Sequence, residues 1–269
     1  MTGVCLRLFG SPELCNAKTD QNVRFPYVKL ILLLAYLALE NRVHTREALA
    51  DLFWPELIAE DARANLRRAL FNLQKVFAEA GMPKSLIQAD RNAVRLSREC
   101  VWVDVLEFEG RSPRSCMTAI NQQLTLYKGT FLDGVFPADA ELASWVQNRR
   151  IQYEQEMVSL LEQAVDINAA AGDFDAMERS CRQLIAKDGV NELAHLSLIS
   201  MHMDSGHEIA ALKIYDVYRK NLQAQMGVYP SPQLSALVSV LLSNRQIHIP
   251  SANWSRGAEL MHHHRYETR

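Results

Sequence analysis

The chain has 269 residues, of which 48% are hydrophobic and 22% charged, and its formal net charge is −2. This is the composition of an ordinary globular protein long enough for two domains, and with only 11 Gly and 9 Pro it argues against a disordered chain or a turn-dense β-sandwich. Five scattered cysteines include no CxxC pair, so neither a zinc knuckle nor a redox motif is encoded.

Positive charge is concentrated in one part of the chain. Residues 1–100 contain 14 Lys and Arg against 11 Asp and Glu, whereas the remainder contains 15 against 20. Residues 61–99 alone contain 8 against 4. Because electrostatic attraction is screened over roughly 10 Å, a local basic patch indicates an anionic partner better than the total charge does.

A small sheet and a buried helix are predicted at the N-terminus. Val4, Leu6 and Leu8 alternate with polar residues, as in a half-buried strand. Residues 27–40 are apolar on nearly all sides, which is typical of a helix surrounded by neighbours. Their longest apolar run, residues 30–39, is about half of a membrane span, and the first residues lack the charged-then-apolar pattern of a signal peptide. We therefore expect a cytoplasmic protein without membrane contact.

Two more helices and a hairpin are predicted next. Thr45 is a suitable N-cap for a helix that Pro55 ends. A third helix begins near Glu60, where acidic residues suit the helix dipole, and ends before Gly81. Residues 85–97 alternate around the turn "ADRN" and predict a β-hairpin. Residues 101–109 alternate again, as a strand does.

A polar seam at residues 110–115 marks the predicted boundary between one domain at 3–110 and another at 113–245. The second domain shows helical periodicity throughout, in segments 116–129, 139–170, 173–187, 191–205, 207–226 and 232–243. "AGDFDAM" at 171–177 aligns with "SGHEIAA" at 205–211, an offset of about 34 residues that is the tetratricopeptide (TPR) period. Residues 246–269 lack periodicity and predict a disordered tail.

The common sequence motifs of enzymes are missing. The chain has no glycine-rich phosphate loop, no HExxH and no GxSxG. Acidic pairs fall on predicted helix surfaces or ends, where solvation is the usual reason for them. The three consecutive histidines near the C-terminus lie in the predicted tail and indicate no metal site. We expect no catalytic activity, no cofactor and no bound metal.

The element order before residue 110 predicts a winged helix-turn-helix, namely a sheet, three helices and a hairpin. In such domains the third helix enters the DNA major groove and the hairpin, or wing, contacts the DNA beside it. The predicted fold is therefore mainly α. A winged helix-turn-helix with small β-sheets precedes an all-α TPR-like domain.

The third helix predicts DNA contact through its outer face. Its apolar stripe leaves seven residues outside: Arg63, Arg67, Arg68, Phe71, Asn72, Gln74 and Lys75. A merely solvated face normally carries acids that pair with bases, yet residues 62–78 contain none. Arg suits phosphates and guanine, and Asn suits adenine. The predicted DNA-binding residues are Arg63, Arg67, Arg68, Asn72 and Lys75, with Arg91 and Arg95 on the wing and Arg98 near it.

The stretch "LLLAYLALENRVHTREALADLFWPELIAEDARANLRRALFNLQKVF" resembles the DNA-binding domain of transcriptional activators of the Streptomyces antibiotic regulatory protein (SARP) type. "VWVDVLEFE" is similar to the connector of that family. "FLDGVFPADAELASWVQNRRIQYEQ" is similar to the start of its bacterial transcriptional activation domain, which is itself TPR-like. The resemblance covers about residues 4–243. Gln74 and Lys75 depart from it, because they stand where the family is rich in arginine.

The resemblance implies a winged helix-turn-helix of the response-regulator type, in an activator that binds direct repeats in double-stranded DNA and recruits RNA polymerase. A homodimer and a tandem pair on the DNA are both candidate arrangements. In that family the loop between the second and third helices faces the polymerase, which here implies Pro55, Glu56, Leu57, Ile58, Ala59 and Glu60. The helical domain is a candidate site for a small-molecule or protein effector. The sequence is also compatible with two alternatives: a protein-interaction or ligand-sensing module, and the N-terminal part of a longer regulator.

Overall fold

The structure, a computed structural model, describes residues 3–16, 18–19, 21–110 and 116–245. The chain divides into two compact units, residues 1–177 and 178–269. The predicted domain boundary lies within the first unit and stays a prediction. The predicted tail, residues 246–269, lies outside the described residues, as do residues 111–115 of the polar seam.

Seven strands and ten α-helices make up the described chain. The strands are β1 (Val4–Arg7), β2 (Glu13–Asn16), β3 (Gln21–Val23), β4 (His44–Thr45), β5 (Ile87–Ala89), β6 (Ala93–Leu96) and β7 (Val101–Val103). The helices are α1 (Val28–Leu39), α2 (Arg46–Phe53), α3 (Ala59–Glu79), α4 (Asp104–Glu109), α5 (Met117–Leu126), α6 (Ala140–Ala171), α7 (Phe174–Lys187), α8 (Glu192–Asp204), α9 (Glu208–Met226) and α10 (Pro232–Arg245). The predicted fold class, mainly α with small N-terminal sheets, is confirmed.

The N-terminal sheet has the strand order β3-β2-β1-β7. Strand β1 pairs antiparallel with β2 and parallel with β7. Val4 and Leu6 are buried while Arg7 is exposed, so the alternation predicted for this strand is confirmed. The parallel pairing with β7 joins the first residues of the chain to residues almost a hundred positions later.

Helix α1 is buried on every side over its last three turns. All ten residues from 30 to 39 are buried, which explains the uninterrupted apolar run. Arg98 closes its C-terminus, donating from Nε to the Ala38 carbonyl and from Nη2 to the Leu39 carbonyl, both at 2.8 Å. The sequence placed Arg98 near the wing as a further basic residue. Its guanidinium instead satisfies carbonyls that a helix end leaves without partners.

Helix α2 is fixed at both ends. The Thr45 hydroxyl accepts a hydrogen bond from the Ala48 N–H at 3.1 Å, which confirms the predicted N-cap. The Lys29 ammonium donates to the Phe53 carbonyl at 2.6 Å and lies over the Trp54 ring. Helix α3 then begins at Ala59, after a connection of only five residues, 54–58.

The wing is a three-stranded sheet in the order β4-β6-β5, which confirms the predicted hairpin. Its turn is held by Asp90, whose Oδ1 accepts from the Asn92 and Ala93 N–H groups, each at 2.7 Å. These two N–H groups lower the pKa of Asp90. The Arg46 guanidinium donates from Nε to the Asp90 carbonyl at 2.7 Å. The first residue of α2 therefore ties the wing turn to the helix-turn-helix.

Residues 101–109 differ from the predicted strand. The strand ends at Val103, and α4 begins at Asp104, which is only 3% exposed. The Asp104 carboxylate accepts from the Leu8 N–H at 2.8 Å, the Phe9 N–H at 3.0 Å and the Val105 N–H at 2.8 Å. Burial raises the pKa of Asp104, and the three N–H donors oppose that shift. Two of these three donors, those of Leu8 and Phe9, are about 95 residues away in sequence.

Helix α6 packs against the winged helix within the first unit. Glu40, which follows α1, accepts from Trp145 Nε1 at 2.9 Å and pairs with Arg149 at 3.3 Å. Arg149 also pairs with Glu109 at 3.3 Å, and the Tyr153 hydroxyl donates to Glu109 at 2.7 Å. Tyr153 is 1% exposed, so it is a core residue. These contacts attach the long helix to the end of α1 and to α4.

The turns that end α6 and α8 are alike. Gly172 and Gly206 have φ angles of +70° and +72°, in the left-handed region that glycine favours. Both glycines were aligned by the predicted 34-residue repeat. In the second unit, α8 and α9 enclose a core that includes Ile199, Tyr215 and Tyr218. None of the helices in the described part of the chain combines the length and apolar composition of a membrane span.

Candidate nucleic-acid interface

The outward face of α3 is basic and holds an exposed aromatic residue. The stripe predicted to be buried is buried: Leu66, Ala69, Leu70, Leu73, Val76 and Phe77. The predicted outer residues are exposed, apart from Asn72, which is half-buried. The acidic side chains of the helix lie at its two ends, at Glu60, Asp61 and Glu79. The middle of α3, residues 62–78, therefore carries positive charge and contains no acidic residue.

A cleft of about 580 Å³ lies between the start of α2, the first half of α3 and the wing turn. Its lining residues are Thr45, Arg46, Glu47, Arg63, Arg67, Arg91 and Asn92. Four arginines from three separate elements thus converge beside the N-terminus of a helix. Helix N-termini attract anions because their N–H groups and dipole face outward. With four arginines against one acid, Glu47, the cleft carries an excess of positive charge.

The arginines in this cleft differ in how many hydrogen bonds and ion pairs they already make within the protein. Arg63 donates from Nε to the Ala59 carbonyl at 3.1 Å and lies 3.8 Å from Glu47. Arg67 has neither a hydrogen-bond acceptor nor an ion-pair partner among the residues that the structure describes. Because its guanidinium keeps all of its donors, Arg67 is the residue of this face best prepared for a bidentate contact.

On the opposite flank of α3, Arg68 and Asn72 line a second cleft of about 590 Å³, with Tyr27, Trp54 and Leu57 among its other residues. The Asn72 amide donates to the Tyr27 hydroxyl at 3.3 Å. At about 100° per residue, Asn72 lies about 140° around the helix from Arg67. The predicted contacts are therefore divided between two sides of the helix, and Asn72 lies at the margin of the outward face.

Lys75 and Arg95 complete the set of predicted residues. Lys75 lies 3.8 Å from Glu79, and both side chains are 67% exposed. Arg95 is exposed between the buried Val94 and Leu96, so it points to the solvent side of β6. The structure thus brings Arg63, Arg67 and Arg91 together in one cleft but places Arg95 outside the residues that line it.

Sequence reasoning missed Arg46. It lines the cleft and binds the wing turn through Asp90. The available signal was its position directly after the Thr45 cap, at the start of the helix that crosses the DNA backbone in helix-turn-helix proteins. Glu47 was also missed. It follows Arg46 in the first turn of α2 and lies 3.8 Å from Arg63, whose charge it partly neutralises.

The predicted polymerase-facing loop is shorter than expected. Ala59 and Glu60 belong to the first turn of α3, so only residues 54–58 form the connection. The Leu57 N–H donates to the Trp54 carbonyl at 3.1 Å, which closes a tight turn. Ile58 follows with 70% of its surface exposed.

Within the described ranges, no group of His, Cys, Asp and Glu side chains could hold a metal ion.

Comparison with known proteins gives three concordant findings. The sequence profile of the family described as "Bacterial transcriptional activator domain" matches residues 104–242, which is more than half of the chain. Regulatory protein AfsR of Streptomyces griseus is 26% identical over 221 residues. That alignment covers 78% of this chain and 22% of AfsR, so the chain spans about a fifth of that relative's length.

The fold is also similar to a solved structure, Mycobacterium tuberculosis EmbR in complex with a low affinity phosphopeptide. The TM-score is 0.67, and the match covers 91% of this chain and 66% of that chain. At 20% sequence identity the similarity establishes the fold alone. The chain belongs to the bacterial transcriptional activator domain family, and a winged helix-turn-helix precedes the matched region.

Proposed function

We propose that the chain is a transcriptional activator that binds double-stranded DNA through α3 and the wing. The observation that carries this proposal is the convergence of Arg46, Arg63, Arg67 and Arg91 in one cleft beside the α2 N-terminus. A solvated surface gives no reason for basic residues from three elements to meet around a helix N-terminus. A DNA backbone does, because its phosphates need several donors in fixed positions.

The dimensions of α3 also suit this role. Its 21 residues extend about 30 Å, and the major groove is about 12 Å wide, enough to admit one helix. With α3 in the groove, Arg67 and Arg68 reach base edges from the two halves of the outward face. Arg46, Arg63 and Arg91 hold the adjacent phosphates in the cleft. Asn72 and Arg95 are supporting contacts at the margins of the helix and the wing.

Selection of bound fragments from genomic DNA with the purified chain, at two salt concentrations, tests this proposal. We expect one sequence to be enriched at both concentrations, arranged as a direct repeat, because the SARP family binds such repeats. Enrichment that disappears at the higher salt concentration would indicate nonspecific attraction to phosphates alone. Recovery of no DNA at either concentration would contradict the proposal.

Lys75 is expected to contact phosphate without reading sequence. Lys75→Ala should therefore lower the slope of log affinity against log salt by about one and weaken all duplexes nearly uniformly. Lys220→Ala is the matched control, because Lys220 is 68% exposed and also pairs with an acid, Asp216, in the second unit. Binding titrations at four salt concentrations measure both slopes. An unchanged slope for Lys75→Ala would place this lysine away from the DNA.

We further propose that the turn at residues 54–58 contacts RNA polymerase. Ile58 is an apolar side chain with 70% exposure within this short turn, and it offers apolar surface that a protein partner can bury. Ile58→Ala should leave DNA affinity unchanged and lower activated transcription in vitro about fivefold, the effect of a contact worth about 1 kcal/mol. Val43→Ala, at 60% exposure outside this turn, is the control. Equal transcription from Ile58→Ala and wild type would exclude Ile58 from the contact.

A further inference from the structure

Phe71 lies at the centre of the outward face of α3. Its side chain is 65% exposed, although phenylalanine is normally buried. On a helix, its nearest surface neighbours are three and four residues away. These are Arg67, Arg68, Gln74 and Lys75, all of them exposed. The ring is therefore an apolar point surrounded by cationic and polar side chains.

Packing within the protein does not account for this ring. Among the described aromatic residues, none has a ring in contact with Phe71, and the buried stripe of α3 lies on the other side of the helix. What distinguishes Phe71 from other exposed apolar residues of the chain is its place within a basic helix face, where its ring offers apolar surface that a partner can cover. A partner that reaches Phe71 must also accept the three cationic side chains around it.

The major groove of DNA meets both requirements. It is lined by anionic phosphates, and its base edges are polar apart from the C5-methyl group of thymine, which phenylalanine can contact. We propose that Phe71 is a specificity-determining residue that packs on a thymine methyl group, an inference that rests on the DNA binding proposed above. Arg67 and Arg68 flank the ring one turn earlier and hold α3 close enough for this contact.

This contact gives the helix a way to distinguish bases that does not depend on hydrogen bonds. Thymine and cytosine differ in their polar groups, but thymine and uracil differ in the groove by the methyl group alone. Uracil substitution therefore isolates the contribution of Phe71. The ring loses one apolar partner, while every arginine contact to base and phosphate keeps its acceptor.

The test uses the duplex obtained by selection and a set of copies in which one thymine at a time is replaced by deoxyuridine. We expect wild type to bind one or two of these copies about fourfold more weakly, the factor for one buried carbon. Phe71→Ala should bind the parent duplex more weakly and should no longer distinguish it from those copies. Phe136→Ala, which removes a 79% exposed phenylalanine outside α3, should behave as wild type.

Three results would overturn the inference. Wild type could bind every uracil copy as tightly as the parent, which shows that no methyl group is read. Phe71→Ala could retain the wild-type preference for thymine, which assigns the methyl contact to another residue. Phe71→Ala could also bind DNA normally and fail only in transcription, which makes the ring a protein contact. If the wild-type chain binds no DNA, the proposed function is itself contradicted, and this inference fails with it.

Discussion

Replacing Arg67 by alanine should weaken binding to the selected duplex by about 1–3 kcal/mol, a loss of about 5- to 150-fold. Arg67 lies on the wing side of the outward face of α3, where it lines the cleft. Its guanidinium has no acceptor among the described residues, so it needs no rearrangement before it binds. Fluorescence anisotropy with labelled duplex measures the loss, and a circular dichroism melt establishes that the variant is folded.

Two further variants separate the base contact of Arg67 from its charge. Arg67→Lys keeps the charge but not the planar pair of donors, so it should lose preference for the selected sequence while retaining most of the salt dependence. Arg182→Ala is the control, because Arg182 is also an exposed helix arginine, paired with Glu178 in the second unit. If Arg67→Ala binds as tightly as wild type, the base contact belongs to another residue.

The second large effect concerns stability. Asp104→Ala should lower the free energy of unfolding by about 3–5 kcal/mol, because three backbone N–H groups lose their acceptor and each costs about 1–3 kcal/mol with partial relief by water. The loss should be cooperative across the winged helix, since Asp104 joins α4 to Leu8 and Phe9 at the end of β1. Urea denaturation measures the change.

Asp139→Ala is the matched control for Asp104. The Asp139 carboxylate also accepts from two N–H groups, those of Glu141 and Leu142, but it caps α6 near the surface. Water can replace it there, so a loss of about 1 kcal/mol is expected, as for other N-caps. Comparable losses for the two variants would show that burial and the distant donors add nothing at Asp104.

Much of the fold could be predicted because it depends on local patterns. The apolar period of α3 correctly separated its buried stripe from its exposed residues, and the alternation around "ADRN" gave the wing hairpin. The structure of residues 101–109 could not be predicted in this way. Val101, Val103 and Val105 alternate as in a strand, but the strand ends at Val103, and Asp104 starts a helix while accepting from donors 95 and 96 residues away.

The candidate site likewise includes contacts between elements that local sequence patterns could not predict. Helical spacing was enough to predict that Arg63, Arg67, Arg68 and Lys75 face outward. Spacing could not show that Arg46 joins Arg63 and Arg67 in a cleft, since this depends on the crossing of α2 and α3. Nor could it show that Arg98 caps α1, because the acceptors of Arg98 are carbonyls about 60 residues earlier in the chain.

The specificity ratio of the wild-type chain tests the central claim most directly. It is the affinity for the selected duplex divided by the affinity for a scrambled duplex of equal length and composition, at one physiological salt concentration. We expect a ratio of about 10³ or more, as for sequence-specific DNA-binding proteins, and a much smaller ratio for Arg67→Ala. A wild-type ratio near one, or a large ratio that Arg67→Ala leaves unchanged, would contradict the assignment of α3 as the element that reads DNA.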